Sequence, residues 1–190
     1  MSAFEGSNNG ILIGRYRNGQ NKLSKDLRKH IKRNATFFCI GTDRSTGDCF
    51  APLVGTKLKE LGYNNVIGTL NHPVHAMNLD DRIAEIPKNT DVIALDAALG
   101  NLELIGSINL RRGKLKPGAA LGKHLTSVGD YSLTGVVNIS GYEEHVILQN
   151  TRLAEVMKLV DETVEAIQQA FPLKRSNNKF LLKLKRRLNA

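Results

Sequence analysis

The apolar positions of this chain change period several times, and each change marks an element. Over residues 22–33, Leu23, Leu27 and Ile31 recur four apart among Lys and Arg. That spacing predicts a basic helix with a single apolar stripe. Residues 36–41, TFFCIG, are a short β-rich run bounded by Asn34 and Gly41 and read as a buried strand. Residues 50–61 place Phe50, Leu53, Val54, Leu58 and Leu61 on one helical face, with Pro52 in the first turn and Gly62 as a stop. Residues 65–70 and 91–96 read as a second and a third strand, and Pro73 opens a helix running to residue 86. Residues 104–110 and 133–139 are further strands. Residues 147–171 carry Leu153, Val156, Val160, Val164, Ile167 and Phe171 at helical spacing, and Pro172 ends that run.

Strands alternating with helices predict an α/β fold: a three-layer α/β/α sandwich around a mostly parallel sheet. The strands are continuously apolar, as befits a sheet covered on both faces. Residues 35–171 form the expected domain. Residues 1–34 are expected to be a basic N-terminal extension with one helix, its first 20 residues loose. Residues 172–190 are expected to be a basic C-terminal extension, with 172–178 as a linker. In its last residues, Leu181, Leu184 and Leu188 suit a helical face, while Phe180, Leu182 and Leu184 suit the alternation of a strand.

Composition narrows the class. A chain of 190 residues with 41% hydrophobic content suits one domain with a real core. No apolar run reaches the roughly 18 residues of a membrane span. The opening MSAFEGSNNG has no charged region followed by an apolar stretch, so no secretory signal is expected. Two cysteines make no disulfide framework, and a reducing, cytoplasmic setting is expected. The net charge of +9 is unevenly placed. Residues 1–34 hold eight Lys/Arg against two acids, and residues 171–190 hold seven against none, so the stretch between is mildly acidic. Attraction to nucleic acid or to an anionic surface is therefore expected of the ends rather than the core.

The loop GTDRSTGDCFAP, residues 41–52, leaves the first predicted strand, and the third ends at Asp96. In open α/β sheets ligands bind beyond the carboxyl ends of strands where strand order reverses. With the three strands ordered 2-1-3, Asp48 and Asp96 face one crevice. Two close carboxylates can share a proton, activate water or hold a cation. The structural alternatives are an N-cap role for Asp48 and a turn-fixing role for Asp96. A phosphate cradle is the other reading of this loop, but it lacks the P-loop Lys and does not match GxGxxG. Cys49 at a helix start is a candidate nucleophile with His72, His75 or His124 as partner, against the plainer role of a small packing residue. Cys39 reads as core. His30 and His145 read as solvated. His124, after a Gly-rich turn, is a third metal-ligand candidate beside Asp48 and Asp96.

Four segments in order resemble one family: IGTDRSTGDCFAPLVG, TLNHPVHAMNL, VIALDAALGN and PGAALGKHLTSVGDYSLTGVVN. Together they resemble the YyaC-type spore protease family (DUF1256), which is similar to the spore germination protease and, more distantly, to the hydrogenase maturation proteases. The resemblance covers residues 35–170. It implies a phosphorylase/hydrolase-like α/β/α sandwich and catalytic aspartates at Asp48 and Asp96. It also implies a cytoplasmic role in a spore-forming cell or the spore core. Lys123 stands where the germination protease has an Asn in its Gly-rich stretch. The hydrogenase maturation proteases hold metal through two acids and a His, which points to Asp48, Asp96 and His124 for a divalent ion.

The expected function is a sporulation or germination peptidase using paired aspartates on a protein or peptide substrate, with small DNA-coating spore proteins as the implied class. The alternative is a non-catalytic protein on the same fold, docking through its basic ends on DNA, an anionic membrane or an acidic protein.

Overall fold

Short apolar runs separated by helices assemble into a six-stranded mixed sheet, seen in a computed structural model that describes residues 10–32, 34–118 and 125–173. In chain order the elements are β1 (Ile11–Tyr16), α1 (Gln20–His30), β2 (Thr36–Cys39), α2 (Phe50–Glu60), β3 (Val66–Ile67), α3 (Leu79–Ala84), β4 (Val92–Gly100), β5 (Ile108–Arg112), β6 (Tyr131–Ile139), α4 (Glu144–Gln149) and α5 (Leu153–Ala170). The strand order is β1-β5-β6-β4-β2-β3. Strands β3, β2, β4 and β6 run parallel, and β5 and β1 complete the sheet antiparallel. The 2-1-3 order on which the shared crevice was conditioned is present, as β3-β2-β4.

Period-two alternation assigns the two faces. Phe37 and Cys39 of β2, Ile93, Leu95 and Leu99 of β4, and Leu133 and Val137 of β6 meet the apolar stripes of α1, α2 and α5 in the main core. Phe38, Ile40, Val92 and Ala94 face the other way and meet Val74, Leu79, Leu115 and Val128. The second layer is thinner, built from α3 and irregular segments of chain. The sandwich is therefore α/β/α with unequal layers.

Several expectations need correction. Residues 1–20 were expected to be loose, yet Ile11–Tyr16 is an edge strand antiparallel to β5. Tyr16 is buried and its hydroxyl donates to Asp26 Oδ2 at 2.7 Å. Leu23, Leu27 and Ile31 are buried in the main core, so residues 11–31 are part of the sheet and its helical layer. An edge strand that leaves Ile11 and Leu12 exposed shows no clean alternation, which is why the pattern hid it. The helix expected from Pro73 is delayed to Leu79. Val74 instead pairs beside Ile40, and Gly41 N–H donates to Val74 C=O at 2.8 Å. The long helix over 147–171 is two helices, because Arg152 takes an extended conformation between α4 and α5. Residues 102–104 form a 3-10 turn, and the strand expected from 104 begins at Ile108. The third predicted strand does not end at Asp96 but continues to Gly100. The C-terminal extension lies outside the described residues beyond Leu173.

Close backbone approach fixes α2 on the sheet. A Cβ on Gly55 would sit 2.0 Å from Gly68 C=O, and one on Gly68 would sit 1.9 Å from Cys39 C=O. Gly68 also has φ +95, open to glycine at little cost. In an unconstrained helix Gly55→Ala would gain about 1 kcal/mol. Here the clash with backbone dominates, and urea unfolding should show a loss of about 2–3 kcal/mol. A gain in stability would show that α2 does not rest this closely on β2 and β3.

Candidate active site

The site begins where β2 stops. Cys39 pairs with Leu95, and Ile40 N–H still reaches Leu95 C=O at 2.9 Å. At Gly41 the chain turns off the sheet with φ +139, and a Cβ there would lie 2.1 Å from Asp48 C=O. Only glycine lets the start and end of the 41–48 loop approach so closely. The loop then closes on itself. Thr42 N–H donates to Asp48 Oδ2 at 3.0 Å, Arg44 N–H donates to Thr42 Oγ1 at 3.3 Å, and Cys49 N–H donates to Ser45 C=O at 3.1 Å. Asp48 sits in a 3-10 turn, Gly47–Cys49, that leads into α2. Gly47 presses this turn against α4, since a Cβ there would lie 2.8 Å from Leu148 Cδ2.

Asp96 comes from the neighbouring strand. β4 outlasts β2, so beyond Leu95 it keeps only β6 as a partner on that reach, with Asp96 opposite Thr134. Asp96 thus stands at the first open position beyond the end of β2. Its Oδ1 accepts the N–H of Ala97 at 2.9 Å. Asp96 and Asp48 are both half-buried.

The electrostatics tie the two together. Desolvation pushes Asp48 up to about 6, against the lowering effect of the Thr42 N–H. Asp96 is raised well above the ordinary carboxylate range, first by burial and then by the negative charge of Asp48. One helpful N–H from Ala97 opposes this. Among the described residues no cation acts on either group. Two enclosed acids, one of which feels the other's charge, favour a state with one proton on the pair.

The alternatives weighed for these residues separate clearly. Asp48 does not cap α2, which has no side-chain cap; its carboxylate reaches back to Thr42 instead. The N–H groups of Thr42 and Arg44 are already engaged within the loop, and a carboxylate occupies its interior, which does not suit a phosphate. Cys49 is buried, its thiol donates to Thr46 C=O at 2.8 Å, and burial raises its pKa away from the thiolate a nucleophile needs. Burial likewise pushes Cys39 up, and it is a core residue. His72 is exposed, and His75 lies in a turn whose backbone N–H donates to Asn78 Oδ1. His124 lies outside the described residues. Among the described residues no three His, Cys, Asp or Glu side chains gather to hold a metal. Asp48 and Asp96 alone fall short of the donor set a divalent ion takes, so they do not by themselves fit one. The main-chain N–H of Thr42 was not foreseen as a part of the site. Its only signal in the sequence is Gly41, which makes the loop closure sterically possible.

The family model described as a protein of unknown function, DUF1256, matches residues 14–166. Uncharacterized protein YyaC of Bacillus subtilis (strain 168) is 47% identical over 153 residues, covering 78% of this chain and 75% of that protein. Among solved structures, the [NiFe] hydrogenase maturation protease HycI from Thermococcus kodakarensis KOD1 superposes with a TM-score of 0.48 at 19% identity. That match covers 75% of this chain and 94% of the other.

The raised acids carry a stability prediction. An unfolded aspartate titrates near about 4. Native Asp48 titrates at about 6. The cost of its charge is therefore absent below about pH 4, grows through the interval and is full above pH 6, so stability is lost as pH rises. Asp48→Asn keeps an oxygen acceptor for Thr42 and removes the charge. At pH 7 it should raise the unfolding free energy by on the order of 2 kcal/mol, at about 1.4 kcal/mol per pKa unit. The difference should vanish near pH 4. Urea titrations at the two pH values measure it, and a variant less stable than the parent at pH 7 would contradict the desolvation argument.

Proposed function

The chain belongs to the DUF1256 family, and from that premise and the geometry of Asp48 and Asp96 we propose that it is a peptidase of sporulation or germination acting through this aspartate pair. The observation that supports the reading is two raised carboxyls beyond the carboxyl end of β2, Asp48 raised by burial and Asp96 by burial and by the charge of Asp48. A purely structural pair would remain destabilising at neutral pH, and groups perturbed in this way cluster at functional sites. The motifs GTDRSTGDCFAPLVG and VIALDAALG, which resemble those that hold the germination protease's aspartates, point to the same two residues.

With one proton on the pair, the ionised carboxylate takes a proton from a water as that water attacks a peptide carbonyl carbon. The protonated carboxyl donates to the carbonyl oxygen. The carboxyl that took the water's proton then gives it to the nitrogen, the C–N bond breaks and the amine departs. A hydroxyl of the tetrahedral carbon returns its proton to the other carboxylate as the product acid forms, so the pair again holds one proton. The two acids titrate as a unit, so the roles of base and acid belong to the pair. Thr42 N–H orients the Asp48 carboxylate, and Ala97 N–H orients that of Asp96. The substrate class that the resemblance supports is the small DNA-coating spore proteins.

Purified small spore proteins and denatured casein serve as test substrates. Asp48→Asn and Asp96→Asn should each cut kcat/KM by about a thousandfold or more while the fold is kept. The acid limb of the kcat/KM profile should lie near pH 6, since below it both carboxyls are protonated and no base remains. Cleavage that survives in both variants, or an acid limb near pH 4, would remove the pair from the mechanism.

A further inference from the structure

The row of the sheet that contains Asp96 is polar from strand to strand. Asp96 of β4 lies opposite Thr134 of β6, Thr134 opposite Asn109 of β5, and Asn109 opposite Arg15 of β1. All four belong to the face of the thinner layer, because Leu95, Leu133, Ile108, Leu110 and Tyr16, their neighbours in sequence, are in the main core on the other face. Thr134 is 4% exposed and Asn109 8%. A polar side chain at such a position costs stability unless its groups are bonded.

One bond in the row is made. Arg15 Nε donates to Asn109 Oδ1 at 2.7 Å. A guanidinium can only donate, so this bond settles which end of the Asn109 amide meets Arg15. The other end, Nδ2, carries the two donors and is left for another partner. Among the described residues neither Asn109 Nδ2 nor the Thr134 hydroxyl has one. Nor is either sealed off: the fully enclosed polar atoms without a partner, among the described residues, are Ser45 Oγ and Arg82 Nε. Two side chains more than nine-tenths buried thus keep open donors in register with Asp96.

We propose that Asn109 and Thr134 bind a main-chain carbonyl of the substrate beside the bond presented to Asp48 and Asp96, and that Arg15 is a positioning residue that holds the Asn109 amide for it. The inference rests on the peptidase reading and names what the site recognises: the backbone of a polypeptide rather than one kind of side chain. Two donors call for an acceptor, and the two neighbouring aspartates disfavour an anionic one. A peptide carbonyl is a neutral acceptor. Adjacent strands lie about 4.8 Å apart, so the Cα atoms of Asp96 and Asn109 are about 10 Å apart across β6. Successive Cα atoms of a substrate are about 3.8 Å apart. The carbonyl held by Asn109 and Thr134 therefore belongs to a residue one or two positions from the bond.

Binding is measured apart from cleavage, by the anisotropy of fluorescein-labelled denatured casein on the full-length Asp48→Asn protein. Asn109→Leu keeps the size of the side chain and removes its donors, and Thr134→Val removes the hydroxyl. Each should weaken binding about tenfold. Thr134→Ser returns the hydroxyl and should restore binding. Thr134→Val should also resist urea at least as well as the parent, since the hydroxyl it removes has no partner in the fold. Lost binding with undiminished stability separates a ligand contact from a packing role. Arg15→Met should weaken binding about threefold alone and not at all in the Asn109→Leu background, because it acts only through the amide. In the chain that keeps Asp48, Asn109→Leu and Thr134→Val should raise KM and leave kcat within about twofold. Parental binding by Asn109→Leu and Thr134→Val, no binding of casein by the Asp48→Asn protein, or a full Arg15→Met effect in the double variant would overturn the proposal. The expected binding pattern in a chain that cleaves nothing would strike the peptidase reading and leave the backbone-binding row standing.

Discussion

The arrangement turns on the enclosure of two like charges at the end of one short strand. β2 stops after four residues while β4 continues beside it. The gap thus left exposes one side of β4 at Asp96, and the loop leaving β2 brings Asp48 back toward the same place. Among the described residues no cation lowers either pKa, and each carboxyl receives a single backbone N–H. Such enclosure opposes folding at neutral pH. It is tolerated because the elements holding it are fixed by the main core. Phe50, the first residue of α2, is fully buried, and its ring lies within 3.0 Å or so of where a Cβ on Gly135 of β6 would stand.

The two faces of the sheet divide the work. One is covered by α1, α2 and α5 over a continuous apolar core that includes most of the large buried side chains. The other has a smaller cluster under α3 and irregular chain. Rigidity comes from the first face, where Gly55 and Gly68 let α2 and β3 approach β2 at backbone distance. The carboxyl end of the sheet is then free to carry irregular loops, among them the closed loop around Asp48. Loops of this kind carry function because a scaffold positions them.

Much of this was legible in the chain. The stripe Leu23, Leu27 and Ile31, the helix from Phe50 and the apolar runs around Phe37, Ile93 and Leu133 all have a period that only one kind of element satisfies. The 2-1-3 order of the three predicted strands was a supposition of the sequence reading, and the sheet has it as β3-β2-β4. The edge strand Ile11–Tyr16 was hidden because its partner supplies the hydrogen bonds while solvent takes Ile11 and Leu12, so no alternation was written into it. The helix expected at Pro73 failed because Asn78 folds back on Pro73 and His75, and because Val74 is recruited beside Ile40. Both are competitions that local propensity does not register.

Sequence by itself therefore determined the class of fold, the helical faces and the two aspartates that belong to one end of a sheet, since residue type and period carry that information locally. Tertiary structure decided that β4 would outlast β2, that Asp48 would bond to Thr42 rather than cap α2, and that burial would raise both carboxyls, with the charge of Asp48 raising Asp96 further. The reason is physical: desolvation and charge coupling depend on what surrounds a group in space, and those surroundings come from strands far apart in the chain.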